Sequence, residues 1–195
     1  ERIESALIDP PNGYAYFGTG SSPGKIIRLR LADFAHAGTL TLNPGEDYLY
    51  SAALDTTTRH AYFGTGNAPG KVVKIRLSDF TRLEALNLEA GMGDGYWPLF
   101  PEASVGEDSL VSAVIDPAAG FGYFGTRTVP GKIVKIRLSD FTRVGALTLG
   151  RDEYSPENAA IDTLRGFVYV TAGERKAVQI RLSDFSRQDA ISFDS

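Results

Sequence analysis

Two stretches of this chain are nearly the same sentence. "APGKVVKIRLSDFTR" runs from Ala68 to Arg82 and "VPGKIVKIRLSDFTR" from Val129 to Arg143, with thirteen of fifteen residues identical. Tandem copies at a fixed period stack to bury apolar surface that one copy cannot bury alone, so such a repeat constrains the fold more than composition can. Two further, looser copies complete the set. The units begin at Ser5, Ser51, Ser112 and Ala159, and each carries an early Asp: Asp9, Asp55, Asp116 and Asp162. The spacings are 46, 61 and 46 residues, so the period is 46 and the middle gap holds one insertion of about fifteen residues.

Within a unit the pattern changes every few residues in the manner of short strands. "SAVID" is small and β-branched, "GYFGT" is aromatic and apolar, "KIVKIRL" alternates, and "GALTL" closes the unit. In the third run Val134, Ile136 and Leu138 point one way and Lys135 and Arg137 the other. Asp-Pro-x-x-Gly, Pro-Gly and Asp-Phe turns separate the runs, where Gly and Asp supply positive φ and local hydrogen bonds. No stretch of twelve or more residues combines a helical period with caps. The expected fold is all-β. Four-stranded units of this length in tandem predict a β-propeller, with blades at about 5–42, 51–88, 112–149 and 159–193 and an insertion loop at 89–111 in a single domain, 1–195. The small first strand suits the hub, and the second strand suits burial between neighbouring blades. A linear β-solenoid is the alternative, disfavoured because its rungs are usually shorter.

The segment "GFVYVTAGERKAVQIRLSDF" (166–185) resembles the YVTN-type propeller repeat; the other units carry Tyr16–Thr19, Tyr62–Thr65 and Tyr123–Thr126 in that place. The resemblance implies a β-propeller and a secreted or cell-surface setting, surface layers included. Two arrangements are open: a closed four-bladed ring, or part of a larger propeller. The fourth unit lacks the Pro-Gly pair and ends in polar residues, which favours a complete, capped four-unit module. An open arc would leave apolar faces such as Tyr14–Phe17 bare. The chain begins at Glu1 without a methionine or an apolar leader, so it is expected to be a processed product or a piece of something longer.

Bulk properties exclude some functions. A net charge of −4 has the wrong sign for nucleic acid, no apolar run reaches membrane-spanning length, and cysteine is absent, so disulfides and thiolate metal sites are out. No nucleophile–base pair, phosphate loop or zinc spacing is present. His36 replaces an Arg of the other units, His60 is read as replacing a hairpin Gly, and neither has a metal-like partner spacing. Asp33, Asp79, Asp140 and Asp184 are expected to cap turns, paired with Arg30, Arg76, Arg137 and Arg181.

Three candidate sites remain. The insertion holds Met92, Tyr96, Trp97, Leu99 and Phe100, an aromatic cluster fit to contact a protein or a glycan, or to plug the channel mouth. The acidic pairs Glu46–Asp47, Glu107–Asp108 and Asp152–Glu153 recur at one rim and could hold Ca²⁺ if they converge. The variable loops of that rim are the third. The reading that follows is a non-enzymatic extracellular module for structural assembly or protein–protein interaction, through self-association or neighbouring repeats of a longer chain, in a surface layer or filament. The alternatives are a carbohydrate-binding propeller using the 89–111 loop and, behind it, a propeller lyase or hydrolase.

Overall fold

The four units become four separate antiparallel sheets. The computed structural model describes residues 1–90 and 106–193. The first sheet is β1 (Ile3–Asp9), β2 (Tyr14–Thr19), β3 (Lys25–Arg30) and β4 (Ala35–Thr41). The second is β5 (Leu49–Asp55), β6 (His60–Thr65), β7 (Lys71–Arg76) and β8 (Thr81–Asn87). The third is β9 (Leu110–Asp116), β10 (Phe121–Thr126), β11 (Lys132–Arg137) and β12 (Thr142–Thr148). The fourth is β13 (Ala159–Asp162), β14 (Phe167–Ala172), β15 (Lys176–Arg181) and β16 (Ser186–Ser192). Each sheet runs in sequence order from inner to outer strand, as expected of a propeller blade. The register between third and fourth strands slips at the same place in all four blades, between Arg28 and Leu29, Lys74 and Ile75, Lys135 and Ile136, and Gln179 and Ile180. Such a bulge sharpens the twist of the outer edge. The fourth strand of the third blade begins at Thr142, before the "GALTL" run, because pairing resumes directly after the Asp-Phe turn.

Neighbouring blades meet at their inner strands: β1 on β5, β5 on β9, β9 on β13. The core lies at these joints. One apolar cluster joins blades one and two (Tyr16, Ile26, Leu49, Leu77), a second joins two and three (Tyr62, Val72, Leu110, Leu138), and a third joins three and four (Tyr123, Ile133, Val168, Ile180). The second strand is apolar on both sides for this reason, since one side faces each neighbour; in β6 every residue after His60 is buried. Each blade therefore has an incoming side, packed on the blade before, and an outgoing side, packed under the blade after.

Among the described residues no joint of this kind links the first blade to the fourth. The closed four-bladed ring is not formed; the blades make an open arc. The Tyr14–Phe17 face is not the bare one, because Tyr16 is 1% exposed beneath the second blade. The hairpin register also corrects one position: Arg59, with φ of 58°, takes the place of Gly13, Gly120 and Gly166, and His60 pairs with Asp55 as the first strand residue.

Candidate interaction surface at the open edge

Each joint is built from the same parts. The Phe of the Asp-Phe turn takes a left-handed backbone, with φ of 55° at Phe34 and Phe80, 51° at Phe141 and 52° at Phe185. For a non-glycine residue that conformation costs about 1–2 kcal/mol. In three blades the cost is offset by what the turn achieves, which is to swing the ring onto the preceding blade. Phe80 lies against Tyr16 with ring centroids 5.7 Å apart, Phe141 against Tyr62 at 5.8 Å and Phe185 against Tyr123 at 5.8 Å. A tilted aromatic pair adds about 0.5–1.5 kcal/mol to the burial of the rings. A cation of the outgoing blade completes the clamp: Arg28 over Phe80 at 4.6 Å, Lys74 over Phe141 at 5.2 Å, Lys135 over Phe185 at 5.5 Å. Burial pushes the Tyr123 hydroxyl up to about 12, with Asp116 adding to it, and burial draws the Lys135 ammonium below its ordinary value.

Nearer the hub a Ser and a Gly form a second contact. The hydroxyls of Ser5, Ser51 and Ser112 donate to the carbonyls of Leu49, Leu110 and Pro156 in the next blade at 2.7, 2.7 and 2.6 Å. Gly18, Gly64 and Gly125 lie opposite these Ser residues, and a Cβ on any of them would sit within 2.8 Å of the next blade. Glycine is required there by close approach of another backbone.

The outermost blades break the series in different ways. The incoming sides of blades two and three present Leu49, Leu54, Leu77 and Phe80, and Leu110, Ile115, Leu138 and Phe141, to their joints. The same positions in blade one are Ile3, Ile8, Leu31 and Phe34, exposed by 45%, 55%, 36% and 77%. They are the right residues with nothing upon them. The outgoing side of blade four has instead been rewritten. Asn158 stands for Ser, Thr171 for Gly, Ala177 for Ile or Val and Gln179 for the cation. Asn158 and Thr171 bond to each other across the former socket at 3.2 and 3.3 Å, and Gln179 donates to the Tyr169 hydroxyl at 3.3 Å. The sequence reading looks for recognition in variable loops and does not single out Ile3, Ile8, Leu31 or Phe34. Their signal is the repeat itself: they match residues that pack into the joints of blades two and three.

The acidic pairs do not converge. Glu46, Glu107 and Glu153 turn inward and are nearly fully buried, at 3%, 1% and 1% exposed. Each is gripped by an Arg of the following fourth strand: Glu46 by Arg82, Glu107 by Arg143 with Nε–Oε distances of 2.9 and 3.0 Å, and Glu153 by Arg187. Asp47 accepts from Ser22 and Asn67 at 2.8 Å each, Asp152 pairs with Lys176, and Asp108 is also engaged. The Ca²⁺ expectation therefore loses its geometry: the Glu of each pair faces in toward a guanidinium, and among the described residues no three His, Asp or Glu side chains cluster to hold a metal. Arg82, Arg143 and Arg187 are the residues that the sequence reading misses as partners.

The Arg187 guanidinium, helped by the Gly150 amide, holds the Glu153 carboxyl below its usual 4.5. A carboxylate whose folded value is depressed stabilises the fold above its unfolded value and loses that contribution as pH falls through the folded one. The stability difference between the parent and Glu153→Gln, read from melting temperatures, is expected to be full at neutral pH and to shrink below pH 4.5. A difference that does not change with pH would contradict this.

On the opposite end the expected turn caps are present. Arg30–Asp33, Arg76–Asp79, Arg137–Asp140 and Arg181–Asp184 are exposed pairs, and the Arg76 contact together with the Thr81 hydroxyl pulls Asp79 down to about 2. Exposed pairs of this kind contribute little to stability. The insertion candidates Met92, Tyr96, Trp97, Leu99 and Phe100 lie outside the described residues. The base of the insertion is described: Glu107 donates its amide to the Glu89 carbonyl at 2.9 Å, and the Glu89 amide returns a bond to the Glu107 carboxylate at 3.1 Å.

No family model matches the chain, and no curated protein matches it. Solved structures do. The chain is similar to the structure of U3-55K with a TM-score of 0.71 at 9% identity, covering 96% of this chain and 51% of that one. It is similar to the RRP9 WD40 repeats with the same TM-score and identity, covering 96% of this chain and 50% of that one. At this identity the likeness establishes the fold alone: the four sheets are propeller blades, and the chain spans about half the length of those neighbours.

Proposed function

We propose that the chain is a non-enzymatic assembly module whose ligand is other protein, acting outside the cell in a surface layer or filament. The observation that carries this is the first blade's edge, where Ile3, Ile8, Leu31 and Phe34 lie bare although their counterparts are joint residues in the following blades. Apolar side chains contiguous on one sheet edge mark an interaction surface. A non-enzymatic role is supported by how the repeated polar residues are used. Aspartates cap turns, and buried glutamates hold arginines, so among the described residues the repeated carboxylates are taken up by structural partners. The run Tyr169–Thr171, with its YVTN-like character, supports the extracellular setting.

Light scattering across a concentration series tests the reading. The mass is expected to climb above the 21.1 kDa of one chain as concentration rises. A particle fixed at that mass up to its solubility limit would overturn assembly by self-association.

A further inference from the structure

We infer that the incoming face of the first blade is a docking face for one further propeller blade of a particular kind: a four-stranded sheet whose outgoing side carries the Ser–Gly pair, the Tyr and the Lys or Arg of blades one to three. The inference rests on the assembly reading and names the partner's chemistry.

The interface is already written three times within the chain. Every incoming Phe that has a preceding blade sits on a Tyr and under a cation. Phe34 adopts the same left-handed backbone, φ 55°, with 77% of its surface exposed. The turn holds the ring where a preceding Tyr would meet it. Ile3 stands where Leu49 and Leu110 plug the cleft beside a glycine, and both of those are fully buried. The comparison agrees, because the four blades superpose on about half of each structural neighbour, which carries about as much chain again.

The fourth blade of a second copy does not offer this socket. Thr171 puts a Cβ where glycine lets the next backbone approach, Asn158 is turned to Thr171, Ala177 is too small to fill the place of Ile26, Val72 or Ile133, and Gln179 carries no charge. The two ends of the arc are therefore not a matched pair. One end retains the apolar plug; the other still exposes Tyr169, Ile191 and Phe193 but has lost the Ser–Gly socket, the Ile or Val and the cation.

Rewriting the fourth blade turns this into an experiment. The variant Asn158→Ser, Thr171→Gly, Ala177→Ile, Gln179→Lys gives blade four the lettering of blade three. Its self-association, measured by sedimentation velocity, is expected to be at least about tenfold tighter than the parent's. Adding Phe34→Glu to the rewritten chain is expected to return it to the parent's behaviour. A folded rewritten chain with no gain, or a gain that survives Phe34→Glu, overturns the inference. Should four changes prevent folding, the pair Ala177→Ile, Gln179→Lys leaves the Asn158–Thr171 bond in place; it is expected to give part of the gain, with the same dependence on Phe34, and its failure to do so counts equally against the inference. The outcome is separable from that of the broader reading. A parent that associates while the rewritten chain gains nothing keeps assembly and removes this partner; a parent locked as a monomer whose rewritten form associates does the reverse.

Discussion

Arg143→Ala is expected to lower stability by about 3 kcal/mol, seen as a fall in melting temperature of roughly 6–12 °C. The reason is the carboxylate it leaves behind. Glu107 is 1% exposed and takes two guanidinium nitrogens from Arg143. Without them, the partner that remains to the buried charge among the described residues is the Glu89 amide. The figure is set at the low end of the range for broken buried pairs because 23% of the Arg143 side chain reaches solvent, which lets water approach the gap. Arg143 also touches Glu89 at 3.0 Å, so the same change frees both ends of the insertion's base. Adding Glu107→Gln to Arg143→Ala is expected to recover part of the loss, since an amide leaves no charge to desolvate. A melting temperature within 2 °C of the parent for Arg143→Ala would show that the pair contributes little.

Gly125→Ala is expected to cost about 3 kcal/mol, while Gly145→Ala is neutral or slightly stabilising. The new Cβ at 125 would lie 2.4 Å from the Ser112 hydroxyl and 2.6 Å from the Pro156 carbonyl. The first neighbour can rotate away at the cost of its hydrogen bond; the second is backbone of the next blade and cannot. The third joint has to open. At 145, in the half-buried outer strand β12, nothing lies within 4 Å of an added Cβ and φ is not positive. Combining Ser112→Ala with Gly125→Ala is expected to relieve only a fraction of the loss, because the Pro156 contact persists. Urea unfolding of the two single variants separates a joint effect from a general intolerance of alanine: equal midpoints would rule out close approach as the reason for glycine at 125.

The repeat shows in the sequence because each blade must solve the same packing problem. Its period marked the blades, its turn residues marked all three hairpins in units one and three and fewer in units two and four, and the alternation of Val134, Ile136 and Leu138 gave the buried side of β11. The Asp33-type caps were equally plain, since donor and acceptor are three residues apart. Distance in the chain is what hid the rest. Glu107 and Arg143 are 36 residues apart and Glu46 and Arg82 likewise, so no local spacing betrays them. Read alone, Glu46–Asp47 looks like a pair of ligands, and only the opposite facing of the two side chains separates a buried partner from an exposed one. The arc was hidden for a different reason. Whether a ring closes depends on the angle between sheets, which is set by joint packing and not by the number of units. The fourth unit's missing Pro-Gly pair and polar end were visible as degeneracy, but the changes at Asn158, Thr171, Ala177 and Gln179 and their common facing needed the sheet register.

The clasp between Glu89 and Glu107 has a consequence for how this scaffold can grow. An amide–carbonyl bond and an amide–carboxylate bond join the two ends of the insertion, and Arg143 contacts Glu89 beside them. The turn geometry that fixes the third blade beside the second is thus restored before the chain departs and after it returns. The clasp thereby sets the spacing of the two glutamates themselves, whatever length of chain lies between them.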